Sequence, residues 1–378
     1  VLHHDKIPSL DGLRAVSIII VLLSHCGLQD VIPGRLGVTI FFFLSGFLIT
    51  TLLLSEHAKT GSIAIRQFYF RRALRLMPPL IIVLFIAYSL TYLKLLPGAI
   101  SLDGFLAQLF YFANYYRIFT PGGGAVPYGT GLLWSLAVEE HFYIVYPLLL
   151  LALLTLLKEP RKIALALGII CVSILAWRFY LILQPGTTEW RLGFASDTRA
   201  DSIAFGCLLA LLRNPVSDSR ENDVMQRHHW FLLAGGCALL LSTLLIRNWH
   251  FRETVRYTIQ GIALAPIFYV SIRFAHLQPF RVLNTRPMIL LGIWSYSIYL
   301  IHEIIVGLIS LHAPGVALKP WLLVPIVLAA SIGFAHLIET FVEPYFRKLR
   351  SRYRTQTSAT TAASDAEPYA TRLASVER

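Results

Sequence analysis

Arg14 and His25 stand eleven positions apart in an otherwise apolar stretch. On an α-helix that is almost three turns, so both side chains project from one face, about 16 Å apart along the axis. Asp11 lies one turn before Arg14, at pairing distance. Ionisable groups in such a stretch are costly, and they mark functional positions. A neutral imidazole can take a proton from a hydroxyl as a general base, and Asp30, five residues on, is a carboxylate that could orient it. An Arg that snorkels and a His bonded to a neighbouring helix explain either residue alone better than both on one face.

A second cluster is Arg71, Arg72 and Arg75, inside the segment 66–79 that ends in Pro78 and Pro79. Arg72 and Arg75 face the same way on a helix. The planar guanidinium fork binds two oxygens of a phosphate, so the cluster reads as a dock for an anionic cytosolic ligand, or as an ordinary positive anchor at the inner interface. Glu139, Glu140 and His141 fall at or just inside an outer interface, where two adjacent carboxylates are expensive. Around them Trp134, Phe142, Tyr143 and Tyr146 read as an aromatic belt or a wall for stacking a sugar. Gly122, Gly123 and Gly124 lack the Lys-Ser/Thr of a phosphate loop and read as flexible loop. Asp201 beside Arg199 opens a short apolar run. His302 and Glu303 interrupt another, and Glu339 and Glu343 end the last beside Arg347 and Lys348. Cys26, Cys171, Cys207 and Cys237 sit in or at the ends of apolar runs, as small hydrophobes with neither disulfide nor zinc spacing.

The elements that must hold these groups are membrane helices. Of 378 residues 56% are hydrophobic and 14% charged, and mean hydropathy is +0.63. A soluble domain carries about 25% charge, so a soluble enzyme and a disordered chain are both excluded. Ten spans of roughly the 20 residues a bilayer needs are expected at 9–28, 37–55, 76–96, 132–157, 163–183, 201–213, 230–247, 256–274, 288–309 and 321–341. The sixth is short and could begin near Ala195. The stretch 105–119, broken by Gln108, Asn114 and Arg117, reads as interfacial or re-entrant. With both termini cytoplasmic, 23 of the 33 basic residues fall on the inner side, as the positive-inside rule requires. Arg247, Arg252 and Arg256 fit that arrangement least. No cleavable signal peptide is expected. Residues 350–378 read as a disordered cytoplasmic tail after a membrane domain at 1–349.

Taken in order, the motifs resemble the acyltransferase-3 family of integral-membrane O-acyltransferases. They run from Ile7-Pro8-Ser9-Leu10-Asp11-Gly12-Leu13-Arg14-Ala15, with the Arg-x10-His spacing of Arg14 and His25, through Gly37–Ile49, Arg72-x-x-Arg75 with Pro78, and Trp134-Ser135-Leu136 to Pro147. Arg199-Ala200-Asp201, then Leu291-Gly292 to His302, and Glu343-Pro344 complete the set. The resemblance covers about residues 7–349. It implies an all-α polytopic membrane protein of about ten transmembrane helices in a bacterial inner membrane. The implied reaction moves an acyl group, acetyl by family default, from cytoplasmic acyl-CoA to a hydroxyl of an envelope or exported glycan or glycolipid. The implied form is stand-alone, without an appended SGNH-type domain.

On that reading His25 and Arg14 act catalytically with Glu139, Glu140 and Asp201. Arg71, Arg72 and Arg75 bind acetyl-CoA, while Trp134, Tyr143 and His302 bind acceptor. Neither a metal nor a nucleic acid is called for, and membrane lipids are the remaining partner. The alternative class is a secondary transporter or a flippase of lipid-linked glycan, since transporters also carry polar residues at several depths. The lack of visible inverted repeats and the ordered motif set weigh against it.

Overall fold

The computed structural model describes residues 7–217 and 223–353. The tail from Arg354 onward lies outside the described residues, as do Lys6 and Arg220.

The described chain is helical, without a strand. Its helices are α1 (Leu10–Leu23), α2 (Gly34–Thr60), α3 (Ile65–Tyr92), α4 (Leu102–Leu109), α5 (Ala113–Phe119), α6 (Trp134–Leu157), α7 (Pro160–Ile182) and α8 (Glu189–Phe194). There follow α9 (Ser196–Leu212), α10 (Asp223–Leu245), α11 (Trp249–Glu253), α12 (Val255–Arg273), α13 (Arg286–His312), α14 (Pro314–Ala317), α15 (Pro320–Leu337) and α16 (Glu343–Ser351). Among the described residues nine helices are long and apolar enough to cross a bilayer: α1, α2, α3, α6, α7, α10, α12, α13 and α15. They carry apolar side chains outward, including Phe85, Leu165 and Phe231, as a lipid-facing surface requires.

The expected sixth span is α9. It starts at Ser196 rather than 201 and has 17 residues, about 25 Å of helix, and it is not among those nine. Residues 105–119 do not cross. They form α4 and α5, of 8 and 7 residues, neither much over 12 Å long, with the chain turning between them at Tyr111, φ 61°.

Close helix contacts come from glycine, as is common where backbones pack inside a membrane. A Cβ on Gly46 of α2 would meet the Ile203 carbonyl of α9 at 1.9 Å, and one on Gly206 of α9 would meet the Phe43 carbonyl at 1.9 Å. The α1–α13 seam is equally close, for a Cβ on Gly292 would lie 1.9 Å from the Asp11 carbonyl oxygen. Gly292 therefore sits on Asp11 at one end of the seam, and His302 reaches His25 at the other. The two helices run parallel, and α13 carries its polar residues along the same axis as α1.

Candidate active site

His25 sits where α1 gives way to a π-turn, Ser24–Leu28. Such turns recur at functional positions. Gly27, at φ 90°, supplies the left-handed residue that ends the helix. His25 is half-buried, and its Nδ1 lies 2.9 Å from Nε2 of His302. The rings are parallel within 4°.

The protons on this pair follow from its partners. His302 is fully buried. Its Nδ1 faces the carbonyl oxygens of Tyr299, at 2.8 Å, and Ile298, at 3.2 Å. Carbonyls only accept, so Nδ1 of His302 carries the hydrogen. A buried imidazole without an acidic partner is neutral, which leaves a lone pair on its Nε2. That lone pair accepts from Nδ1–H of His25. In a neutral His25, Nε2 then bears the remaining lone pair, and it makes no hydrogen bond among the described residues. A backbone carbonyl thus fixes, through His302, which nitrogen of His25 can take a proton.

At the other end of α1, Arg14 donates to Asp11 at 3.0 Å. Arg350 of α16 pairs with Glu343 and reaches the Leu74 carbonyl of α3 at 3.5 Å. Arg72 is more heavily engaged. It donates to Glu140 through Nε at 2.8 Å and to Glu139 through Nη2 at 3.3 Å, and its guanidinium lies 3.2 Å from the Tyr143 ring centroid. Glu139 also accepts from Ser45 at 2.5 Å and Tyr143 at 2.8 Å. Arg75, one turn on, is exposed. Among the described residues it has neither a hydrogen bond nor an ion pair. Arg14, Arg72 and Arg350 stand close enough to repel it, and Glu343 is the acid within electrostatic reach. Arg75 is thus the cation in this group whose fork is left for a ligand.

A cavity of about 270 Å³ adjoins the Arg72–Glu140 pair. Tyr69, Ala73, Leu76, Tyr111, Tyr143 and Ile144 are among its walls. Burial raises the Tyr111 phenol well above its ordinary value, so it faces the cavity protonated. Helix α13 links this cavity to the histidines. Tyr296 donates to the Leu76 carbonyl at 2.7 Å, and Tyr299 to Leu132 at 3.0 Å. His302 follows on the same stripe, about 9 Å beyond Tyr296 along the axis.

A family model described as an acyltransferase domain matches residues 7–340. The chain belongs to the acyltransferase-3 family. Among its curated relatives, the peptidoglycan O-acetyltransferase OatA of Listeria monocytogenes is 31% identical over 371 residues, covering 90% of this chain and 56% of its own. The O-acetyltransferase OatA of Staphylococcus aureus strain NCTC 8325 is 30% identical, covering 90% and 57%. A putative O-acetyltransferase of strain COL is 29% identical with the same coverage. The chain thus spans a little over half the length of these relatives. No solved structure matches it.

In this acyltransferase domain several expected groupings are rearranged. Glu139 and Glu140 are not at an outer rim opposite Arg72. They bind Arg72, and Glu139 meets Ser45 in the middle of α2. His25 is oriented by His302 and not by Asp30, which is exposed. Asp201 does not join His25 either. It is fully buried on Arg178, at 2.7 Å, with Thr258 Oγ1 3.4 Å away. His302 is a partner of His25, enclosed rather than facing acceptor. Trp134, 7% exposed, stacks on Phe194 at 4.3 Å and has no free face for a sugar. Tyr143 is 3% exposed, under Arg72. Arg71 ties to the Tyr353 carbonyl at 2.8 Å and approaches Glu56 at 3.9 Å. Within the glycine loop a Cβ on Gly123 would meet Trp190 at 2.7 Å and one on Gly124 would meet Tyr116 at 2.2 Å, while Gly122 faces open space. Arg256 is buried against Glu253 at 3.6 Å. Among the described residues no group of three or more His, Cys, Asp or Glu could hold a metal.

Sequence reasoning took Arg117 only as a break in an apolar stretch and passed over Trp190 and Arg35. Arg35 binds both Glu189 and Glu253. For Arg117 and Trp190 the signal was a charge or an indole in helices of 7 and 6 residues, where helical phase gives little direction; Arg35 stands at the first turn of α2.

Proposed function

We propose that this domain transfers an acetyl group from cytoplasmic acetyl-CoA to a hydroxyl of an envelope or exported glycan, from a bacterial inner membrane with both termini cytoplasmic. Acetyl-CoA enters as a co-substrate. Arg75 meets its phosphates, helped by Arg14, and Arg72 holds Glu139 and Glu140 beside the cavity that takes the thioester arm. Nε2 of His25 accepts the proton of the attacking hydroxyl. The hydroxyl oxygen forms the ester as the thioester C–S bond breaks, and the thiolate leaves with a proton. Glu139, Glu140 and Asp201 support this reaction through the arginines they neutralise. The observation that carries the reading is the contact of His25 Nδ1 with His302 at 2.9 Å, anchored on the Tyr299 carbonyl, which leaves Nε2 of His25 without a protein partner among the described residues.

The test is acetyl transfer by the purified protein in lipid nanodiscs, with labelled acetyl-CoA and an extracted envelope glycan. Labelled glycan and free coenzyme are expected from the wild type, with loss of both in His25→Ala. Counterflow of glycan without thioester cleavage would replace this reading with transport.

A further inference from the structure

One arginine has its ring contacts filled and its charge outside any ion pair among the described residues. Arg117 of α5 lies 4.7 Å from the Trp190 ring centroid and 5.6 Å from that of Phe194. Its side chain is half-buried and its Nε is enclosed without a partner. No carboxylate comes within ion-pairing distance of it among the described residues. Arg35, 5.5 Å from the same Phe194 ring, differs in that two carboxylates occupy it. A guanidinium stacked on aromatic faces keeps its donor edges in plane, and those edges suit a carboxylate or phosphate.

The position is set by packing. A Cβ on Gly131 would lie 2.3 Å from Nη1 of Arg117. The next residue, Leu132, accepts from Tyr299 at 3.0 Å, and the Tyr299 ring is 5.7 Å from that of His302. Glu303 follows His302 in the chain. It is half-buried, without a hydrogen bond among the described residues, and within electrostatic reach of Arg117 and Tyr128. An unpaired cation and an unpaired carboxylate therefore flank the end of the bundle where His25 presents its lone pair. A half-buried indole, Trp190, lies under the cation.

We propose that Arg117, Trp190 and Glu303 form an acceptor subsite for a glycan bearing an anionic substituent. Arg117 takes the anion, Trp190 the face of the sugar, and Glu303 accepts from sugar hydroxyls. The proposal rests on the acyl-transfer reading for the identity of the ligand as acceptor.

The test reads binding without turnover. The full chain in nanodiscs is titrated with a tetrasaccharide carrying one glucuronate, with its methyl ester, and with a 6-phosphate analogue. Wild type is expected to bind the acid about tenfold tighter than the ester, the loss of one charge-assisted contact. Arg117→Gln should bind acid and ester alike, and Arg117→Lys should fall between. Glu303→Gln should weaken both while keeping the preference. A still stronger preference for the phosphate, abolished in Arg117→Gln, supports the same subsite with phosphate as its anion. The proposal is overturned if wild type does not distinguish acid from ester, or if Arg117→Gln distinguishes them as wild type does. A protein that prefers the acid through Arg117 yet transfers no acetyl group would refute the acyl-transfer reading and leave an anionic-glycan site standing.

Discussion

The two ends of the α1–α13 seam are built on opposite electrostatic plans. At the Arg14 end, charge is abundant and mostly cancelled in place: Arg14 by Asp11, Arg72 by Glu139 and Glu140, Arg350 by Glu343. Arg75 is left over. At the His25 end no carboxylate pairs with the two rings among the described residues, and direction comes from hydrogen bonds ending on a backbone carbonyl. The first plan suits holding a polyanion, because one uncompensated cation among paired neighbours attracts phosphate without destabilising the empty bundle. The second suits moving a proton, because a neutral base with a fixed tautomer needs no rearrangement when its substrate arrives.

Variants at each end should separate these plans. His25→Ala removes the base and should lower kcat by about 10² to 10⁴-fold, with the KM for acetyl-CoA unchanged. A kcat near wild type would break the comparison. Arg72→Ala should act on stability instead. It leaves Glu139 and Glu140 without their cation inside the bundle, a loss of about 3–5 kcal/mol visible as a lower melting temperature. Adding Glu139→Gln and Glu140→Gln should restore part of it.

His302→Ala should reduce kcat by about 10²-fold at constant KM, because the tautomer of His25 is no longer imposed. His302→Gln, which keeps a carbonyl acceptor, should recover part of the rate, and equal losses in the two variants would argue for packing alone. Arg75→Ala should be mildest, raising the KM for acetyl-CoA about tenfold, the value of one charge-assisted bond, with kcat kept. A fall in kcat at constant KM would move Arg75 from donor binding into the chemistry.

Much of the scaffold could be read from residue order, because a bilayer imposes length and hydropathy on each crossing. The family resemblance rested on Arg14, His25 and the motifs after them, and the family match confirms it. The helix at α9 was legible except for its start, where Ser196, Asp197 and Arg199 dilute the apolar signal. The pairings were not legible. Helical phase shows that Arg14 and His25 share a face but not which helix that face meets, so His302 read as a group for acceptor. Glu139 and Arg72 were assigned opposite interfaces because each stands near the start of its own apolar run, and hydropathy does not show which side chains meet across helices.

The seam also acts as a ruler. Gly292 on Asp11 and His302 on His25 pin the same two helices at both ends, so the ten residues between Arg14 and His25 measure the gap between the proposed donor site and the proposed base. One alanine inserted after Ile18 would turn everything beyond it by about 100°, aiming His25 away from His302 without removing any functional group. Such a protein should keep its fold and its Arg75-dependent hold on acetyl-CoA yet have lost transfer. Deleting one residue from the same stretch should fail in the same way, whereas adding or removing a whole turn changes the reach while restoring the direction.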